Sequence, residues 1–433
     1  MSMNTSKSST RGRVRVKRPE RVQIEWRPVC LDQLLATDHR ARLVWAYVES
    51  LDMSRLYERI AAVEGRAGRD AVDPRILLAL WMFATIEGIS SARHIDRLCE
   101  RDLAYMWICG GVGVNYHLLS DFRADCGDFL DQLLTDTVAT MLHQELITLD
   151  TVAQDGMRVR ASAGSSSFRR GQTLEDCRRA AAKQVDRLRQ EREDAAESHA
   201  GQSRREAAQL RAATDRQQRL DKALEELKQL EQQKERRAKG SGKKARCSST
   251  DPEARVMKMA DGGFRPAYNV QFVTDAKSRI IAGVDVTNCG SDGGQMGLMH
   301  EQLQARYDKL PEHYLVDGGF ATKDDITRLE KSGTQVFAPI PRAEETIKKG
   351  QDPHARQPGD SDQMAEFRQR MATDEAKTRY RQRPSIAEFP NAVCRNHGLH
   401  QFKVRGLRKV KAEALLHAVT FNLQRIWKLA HAT

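Results

Sequence analysis

Hydrophobic positions change their spacing several times along the chain, and each change marks a segment. From about residue 30 to 145 apolar residues recur at helical intervals. "DPRILLALWMFATIEG" offers Asp73 as an N-cap, Pro74 at the first helical position and Gly88 as a stop. "SSARHIDRLCERDLAYMWICGG" carries Ile95, Leu98 and Leu103 on a helical repeat that ends in paired glycines. "LLSDFRADCGDFLDQLLTDTVATMLHQEL" continues with Phe129, Leu133 and Val138. The block reads as all-helical, and a plain bundle and a DNA-binding module share that pattern.

Near residue 146 the period shortens. "LITLDTVAQDGMRV" is rich in β-branched residues and reads as a strand with Asp155 and Gly156 at its end. Between about 172 and 245 the chain becomes charged and helix-forming, with a thin apolar seam at Leu220, Ala223, Leu224, Leu227 and Leu230. "SHAGQS" allows a turn inside it. The segment therefore reads as a projecting helical hairpin followed by a flexible "KGSGKK" linker, and its charges equally describe a solvated face. Strand spacing returns at about 265: "AYNVQFVTDAKSRIIAGVDVT" holds two apolar runs around a "DAKS" turn. Helix, short strand ("HYLVDGGF"), helix and strand ("TQVFAPI") follow, then a poorly patterned polar stretch from 342 to 378, and a long striped helix from Leu407. Antiparallel strands followed by alternating helix and strand imply an α/β fold, a mixed sheet with flanking helices, interrupted by the hairpin.

Composition narrows the partner. The 433 residues include 71 lysines and arginines against 59 acids, a net charge of +12. Such an excess suggests a polyanion, usually nucleic acid. Eight cysteines are scattered without CxxC or zinc-site spacing, as in a reducing cytosol. No apolar run approaches the roughly 18 residues of a membrane span. The opening "MSMNTSKSSTRGRVRVKRPE" lacks an apolar signal core and reads as a disordered basic arm, either solvated or touching phosphates.

Candidate chemistry gathers on three acids. Asp155 in "VAQDG" and Asp317 in "YLVDGG" each close an apolar strand and precede glycine. A sheet can bring two such strand ends together, although Asp-Gly is also an ordinary turn. In "RYRQRPSIAEFPNAVCRNHGL", Pro384 can open a helix with Glu388 and Arg395 on one face and Tyr380 and Arg383 just before it. That cluster suits a metal ligand beside phosphates, or a surface group of salt bridges. Three rival acids compete. Asp150 lies earlier in the first strand and would project near its middle, whereas the strand around Asp285 continues into valine. Asp292 sits in the polar "NCGSDGGQM".

At these residues the chain resembles the DDE transposases of bacterial insertion sequences, in the subgroup with a tyrosine–arginine–glutamate–basic signature. The resemblance runs from about residue 25 to 430. It rests on "VDPRILLALWMFATIEGISSARHIDRLCERDLAYMWICGG", "NYHLLSDFR", "DGMRVRASAG", "DPEARVMKMADGGFRPAYNVQFVTDAKSRIIAGVDVTNCGSDGGQM", "YLVDGGF" and "KVRGLRKVKAEALLHAVTFNL". It implies an RNase H-like core with Asp155, Asp317 and Glu388 as catalytic triad and ligands of two Mg²⁺ ions, for which Mn²⁺ can substitute.

The signature falls on Tyr380, Arg383, Glu388 and Arg395, with arginine in place of the usual lysine. Tyr380, Arg383, Arg395, Arg158 and Arg160 are the expected DNA contacts, and Asp292 a residue supporting the site. Pro390 departs from the common pattern and implies a helix starting only near Ile386.

The implied function is cleavage at terminal inverted repeats and transfer of the 3′-hydroxyl ends into target DNA. Double-stranded DNA is the partner, in a complex of two or more copies. A nuclease without strand transfer and an inactive DNA-binding derivative are the alternatives. The expected location is the cytoplasm, on the nucleoid. The expected layout is a basic arm (1–25), a helical DNA-binding domain (26–145), a catalytic domain (146–171 and 251–433), and an insert with its linker (172–250).

Overall fold

In the computed structural model, residues 30–63, 70–197 and 204–431 are described. The basic arm expected at 1–25 lies outside them, as does the "SHAGQS" turn from residue 198 onward. In chain order the strands are β1 (Thr151–Arg160), β2 (Phe168–Arg169), β3 (Cys247–Ser248), β4 (Arg255–Lys258), β5 (Phe264–Asp275), β6 (Ile281–Thr287), β7 (His313–Leu315) and β8 (Gln335–Phe337). The main sheet runs β4-β5-β1-β7-β8, and β6 joins the edge of β5 beyond β4. Strands β1, β4 and β6 are antiparallel to β5, whereas β7 and β8 extend the sheet in parallel from β1. β2 and β3 form a separate two-stranded ladder. A helical N-terminal region and this curled mixed sheet make the fold RNase H-like, as the resemblance implied.

Apolar burial fixes how the parts sit. One cluster joins the N-terminal helices and the Leu407–Ala430 helix to Met157, Val159, Tyr268 and Val270 of the sheet. A second gathers Ala153, Tyr314 and Val336 with Met299, Ile326 and Phe367. A third seals the root of the hairpin with Leu174, Leu220, Leu227 and Cys247. An ion pair also links the N-terminal helices to the C-terminal one: Arg123 lies 3.7 Å from Glu413, and both are buried. Among the described residues no helix is long and apolar enough to cross a membrane.

Local reasons explain most elements. Asp73 caps the Pro74–Ile86 helix through the Arg75 N–H, and Gly88 ends it at φ 73°. Several expectations need correction. The first strand begins at Thr151, because Glu145 and Leu149 take left-handed conformations that turn the chain before it. The pattern from Ser90 to Gly111 is two helices, Ala92–Cys99 and Leu103–Cys109, because Asp102 caps a new start through the Ala104 N–H. The next pattern likewise divides at Cys126.

The "KGSGKK" linker is ordered: Glu235 accepts the Gly240 and Gly242 N–H groups, and Gly242 to Lys244 form a 3₁₀ turn. The poorly patterned stretch after 342 holds three helices, Ala343–Lys348, Asp362–Ala372 and Asp374–Tyr380. Ser361 and Thr373 cap the last two, and buried Asp360 pairs with Arg368 at 2.7 Å.

Candidate active site

The register of two parallel strands sets the first two acids side by side. Val152 faces Tyr314 and Ala153 faces Leu315. Two residues further on, Asp155 and Asp317 therefore come level. Asp317 lies just past the end of β7, where its Oδ1 accepts the Gly319 N–H at 2.8 Å. Asp155 lies in the middle of β1, not at a strand end, and Gly156 is no turn, since β1 stays paired with β5 as far as Arg160. Asp150, expected mid-strand, precedes β1 and is held by Lys309 at 2.9 Å. Asp285 is inside β6 and pairs with Lys411 at 3.0 Å.

The third acid arrives on the Arg383–Asn396 helix, which packs against β1. This helix starts at Arg383 and continues through Pro390, so the proposed late start near Ile386 is wrong. Its buried positions Arg383, Ile386, Ala387, Pro390, Asn391 and Cys394 keep one helical face, and that packing offsets the hydrogen bond Pro390 cannot donate. The face meets Asp155 twice: Asn391 donates Nδ2–H to Oδ2 at 2.8 Å, and Arg383 Nη1 lies 3.8 Å from Oδ1. Arg383 Nη2 also reaches Glu388 Oε1 at 3.4 Å. Arg383 thus sits between Asp155 and Glu388, and the Glu388 side chain is 58% exposed.

Electrostatics follow from this crowding. Burial raises the Asp155 pKa, Arg383 opposes the rise, Asp317 adds to it, and the Asn391 hydrogen bond offsets part. Among the described residues, no three acidic, histidine or cysteine side chains converge tightly enough to hold a metal ion. The donors nearest that arrangement are all carboxylate oxygens, the kind a hard divalent cation takes.

The opposite face of β1 carries a second polar group. Gly156 pairs with Gln271 and Arg158 with Asn269. Buried Asp292 lies over them, bound by Arg158 (2.6 Å), Asn269 (2.7 Å) and Gln271 (3.1 Å). Arg158 is therefore occupied by Asp292 and does not flank Asp155 on its own face. Arg160 ends β1 with an exposed side chain. Tyr380 closes a short helix, half-buried against the second apolar cluster. Arg395 is exposed, with no ion pair among the described residues.

Sequence reasoning missed Asn391, Asn269 and Gln271. The signal for the last two was present in "AYNVQFV", where two amides alternate within an otherwise apolar strand.

Two family models match the chain. Residues 29–125 match the Transposase domain (DUF772), and residues 346–427 match a Transposase DDE domain. Glu388 lies inside the second match, whereas Asp155 and Asp317 lie between the two. No curated protein and no solved structure matches.

Proposed function

The chain belongs to the DDE transposases of insertion sequences, and we propose that it cleaves DNA at the element's terminal inverted repeats and joins the freed 3′ ends to target DNA. The observation that carries this reading is the β1–β7 register. It sets Asp155 level with Asp317 while the helix bearing Glu388 lies across Asp155. The net charge of +12 suits a polyanionic substrate.

Each residue has a distinct task in the proposed reaction. Asp155, Asp317 and Glu388 are the groups that would hold divalent cations. Such ions, when bound, would supply charge relief on the leaving oxygen and a more acidic attacking water. Asn391 fixes the Asp155 carboxylate by its hydrogen bond, leaving Oδ1 turned toward Arg383. Arg383 balances the acids and can hold a phosphate oxygen next to them. Arg395, exposed on the helix that carries Glu388, and Tyr380, just before that helix, are the further groups proposed to meet backbone and sugar. Asp292 fixes the neighbouring face of β1 by neutralising Arg158.

The test is cleavage and strand transfer on DNA carrying the element's own ends, with Mg²⁺ or Mn²⁺ supplied. Asp317→Asn is expected to lose about a hundred- to a thousandfold in cleavage, the range for removing one electrostatic group, with an unchanged unfolding midpoint. Full activity of that variant would end the assignment. Cleavage without joining would reduce the reading to a nuclease.

A further inference from the structure

A second cationic surface lies where the N-terminal helices, the hairpin root and the loop before the last helix meet. It is a cleft of about 990 Å³. Arg93 reaches it from the helical region, Arg219 and Lys222 from the second hairpin helix (Arg204–Arg237), and Lys403, Arg405 and Lys409 from the loop and the helix it enters. A smaller cleft of about 310 Å³ continues it past Tyr116, whose ring carries the Arg93 guanidinium at 5.0 Å.

The acids in the larger cleft are largely committed. Asp125 pairs with Arg408 at 2.7 Å and Glu253 with Lys222 at 3.0 Å. Asp251 Oδ1 accepts from the Tyr268 hydroxyl at 2.7 Å and the Gly406 N–H at 3.2 Å, while its Oδ2 is buried without a hydrogen-bond partner. Asp215 remains, beside Arg219. Against it, Arg93, Arg219, Lys403, Arg405 and Lys409 form no ion pair among the described residues.

Two features single out Arg219. Its Nε is buried without a hydrogen-bond partner. Burial first, and then the charge of Arg405, depress its pKa. A partly buried guanidinium facing a like charge is costly unless an anion joins them.

We propose that this cleft binds the backbone phosphates of duplex DNA, as a site separate from the three acids. The proposal rests on the transposase reading for the identity of the polyanion. Ser162 lines the cleft seven residues beyond Asp155 along the line of β1, a reach of roughly 23 Å at strand spacing. A duplex with one phosphate pair per about 3.4 Å would span that distance in about seven base pairs. The cations left without an ion pair suit a polyanion of regularly spaced phosphates, which on the transposase reading is DNA.

The test uses the full chain and a random-sequence duplex of about 30 base pairs, titrated over a range of salt. Arg405→Ala/Lys409→Ala removes two exposed charges, and Arg219→Ala/Arg405→Ala removes the facing pair. Each double variant should bind at least tenfold more weakly near 0.1 M salt, with a log–log salt slope smaller by up to about 1.8, or 0.9 per lost phosphate contact. Lys228→Ala/Lys234→Ala, on exposed hairpin positions outside the cleft, should leave both quantities unchanged. Unfolding midpoints guard against misfolding, and the exposed Arg405/Lys409 pair keeps the test decisive if Arg219 is needed for folding. Wild-type binding with unchanged slopes in both cleft variants would overturn the proposal and leave the transposase reading standing. A wild-type chain that binds no DNA would overturn both. Displacement of a poly-glutamate peptide, but not of DNA, by the cleft substitutions would assign the surface to an acidic protein instead.

Discussion

Replacing Gly156 with alanine would place a methyl group in space already filled. The added carbon would overlap Asp292 Oδ1 outright and lie 2.7 Å from Gln271 Nε2 and 3.0 Å from Asn269 Oδ1. Backbone conformation is no obstacle, because Gly156 is an ordinary strand residue paired with Gln271. The cost therefore comes from moving the carboxylate. Asp292 is buried and gives up contacts to Arg158, Asn269 and Gln271 if it leaves.

Hydrogen bonds to charged groups contribute about 1.5–3 kcal/mol each, and part-exposed Arg158 regains some of this from water. The expected net loss is about 2–4 kcal/mol. Urea unfolding of Gly156→Ala, Asp292→Ala and the double variant checks it. Once the carboxylate is gone the Gln271 and Asn269 amides it held can turn aside from the methyl group, so the double variant should cost little more than Asp292→Ala alone. That is a coupling of about 2 kcal/mol, well beyond the few tenths expected of independent sites. A Gly156→Ala protein within about 0.5 kcal/mol of wild type, or strictly additive costs, would refute the assignment of Gly156 as the space beneath Asp292.

Two further outcomes follow from buried charges. Glu413→Ala strands Arg123, whose remaining partners are the Ser90 carbonyl at 2.7 Å and the Trp81 ring at 4.3 Å; a loss of about 3 kcal/mol in urea unfolding is expected, and a negligible one would show that these partners suffice. Burial lowers the pKa of His300 to about 4 and of His417 to about 3, so in the folded chain both stay neutral where the unfolded chain takes up protons. The stability they contribute is complete above about pH 6.5 and falls as pH drops toward those values, by about 2 kcal/mol per histidine between pH 7 and 5. His417→Leu should flatten that decline, because the imidazole Nδ1 has no partner to lose, and an unchanged pH slope would contradict it.

The legible parts of this chain were those whose local chemistry and tertiary context agree. The capped Pro74–Ile86 helix and the "DAKS" hairpin carry their own start and stop signals. The Asp155–Gly156 pair misled because a glycine after a strand aspartate usually turns the chain, as it does after Asp317, whereas Gly156 is small to accommodate Asp292 from another loop. No property of neighbouring residues carries that information. Pro390 misled in the same way: its local penalty was visible, but the packing of Asn391 and Cys394 that outweighs it was not. The polar run after Ile340 hid three helices because a buried Asp360–Arg368 pair and two side-chain caps replace the apolar stripe that periodicity detects.

Arg383 shows why the site also needed its geometry. In the sequence it is one cation among several near Glu388. In the fold it touches two of the three acids, yet neither contact is strong. The distances of 3.8 Å to Asp155 and 3.4 Å to Glu388 exceed the roughly 2.7–2.9 Å of a close charge-assisted bond. Its Nη1 is buried without a hydrogen-bond partner. A guanidinium held this loosely lowers the repulsion between crowded carboxylates while giving up little when it turns away. In the proposed reaction a bound divalent cation would take over that neutralisation, and an unsatisfied Nη1 would gain most from a phosphate oxygen. The contacts that look weakest in the folded chain are therefore those the proposed chemistry can exchange at lowest cost.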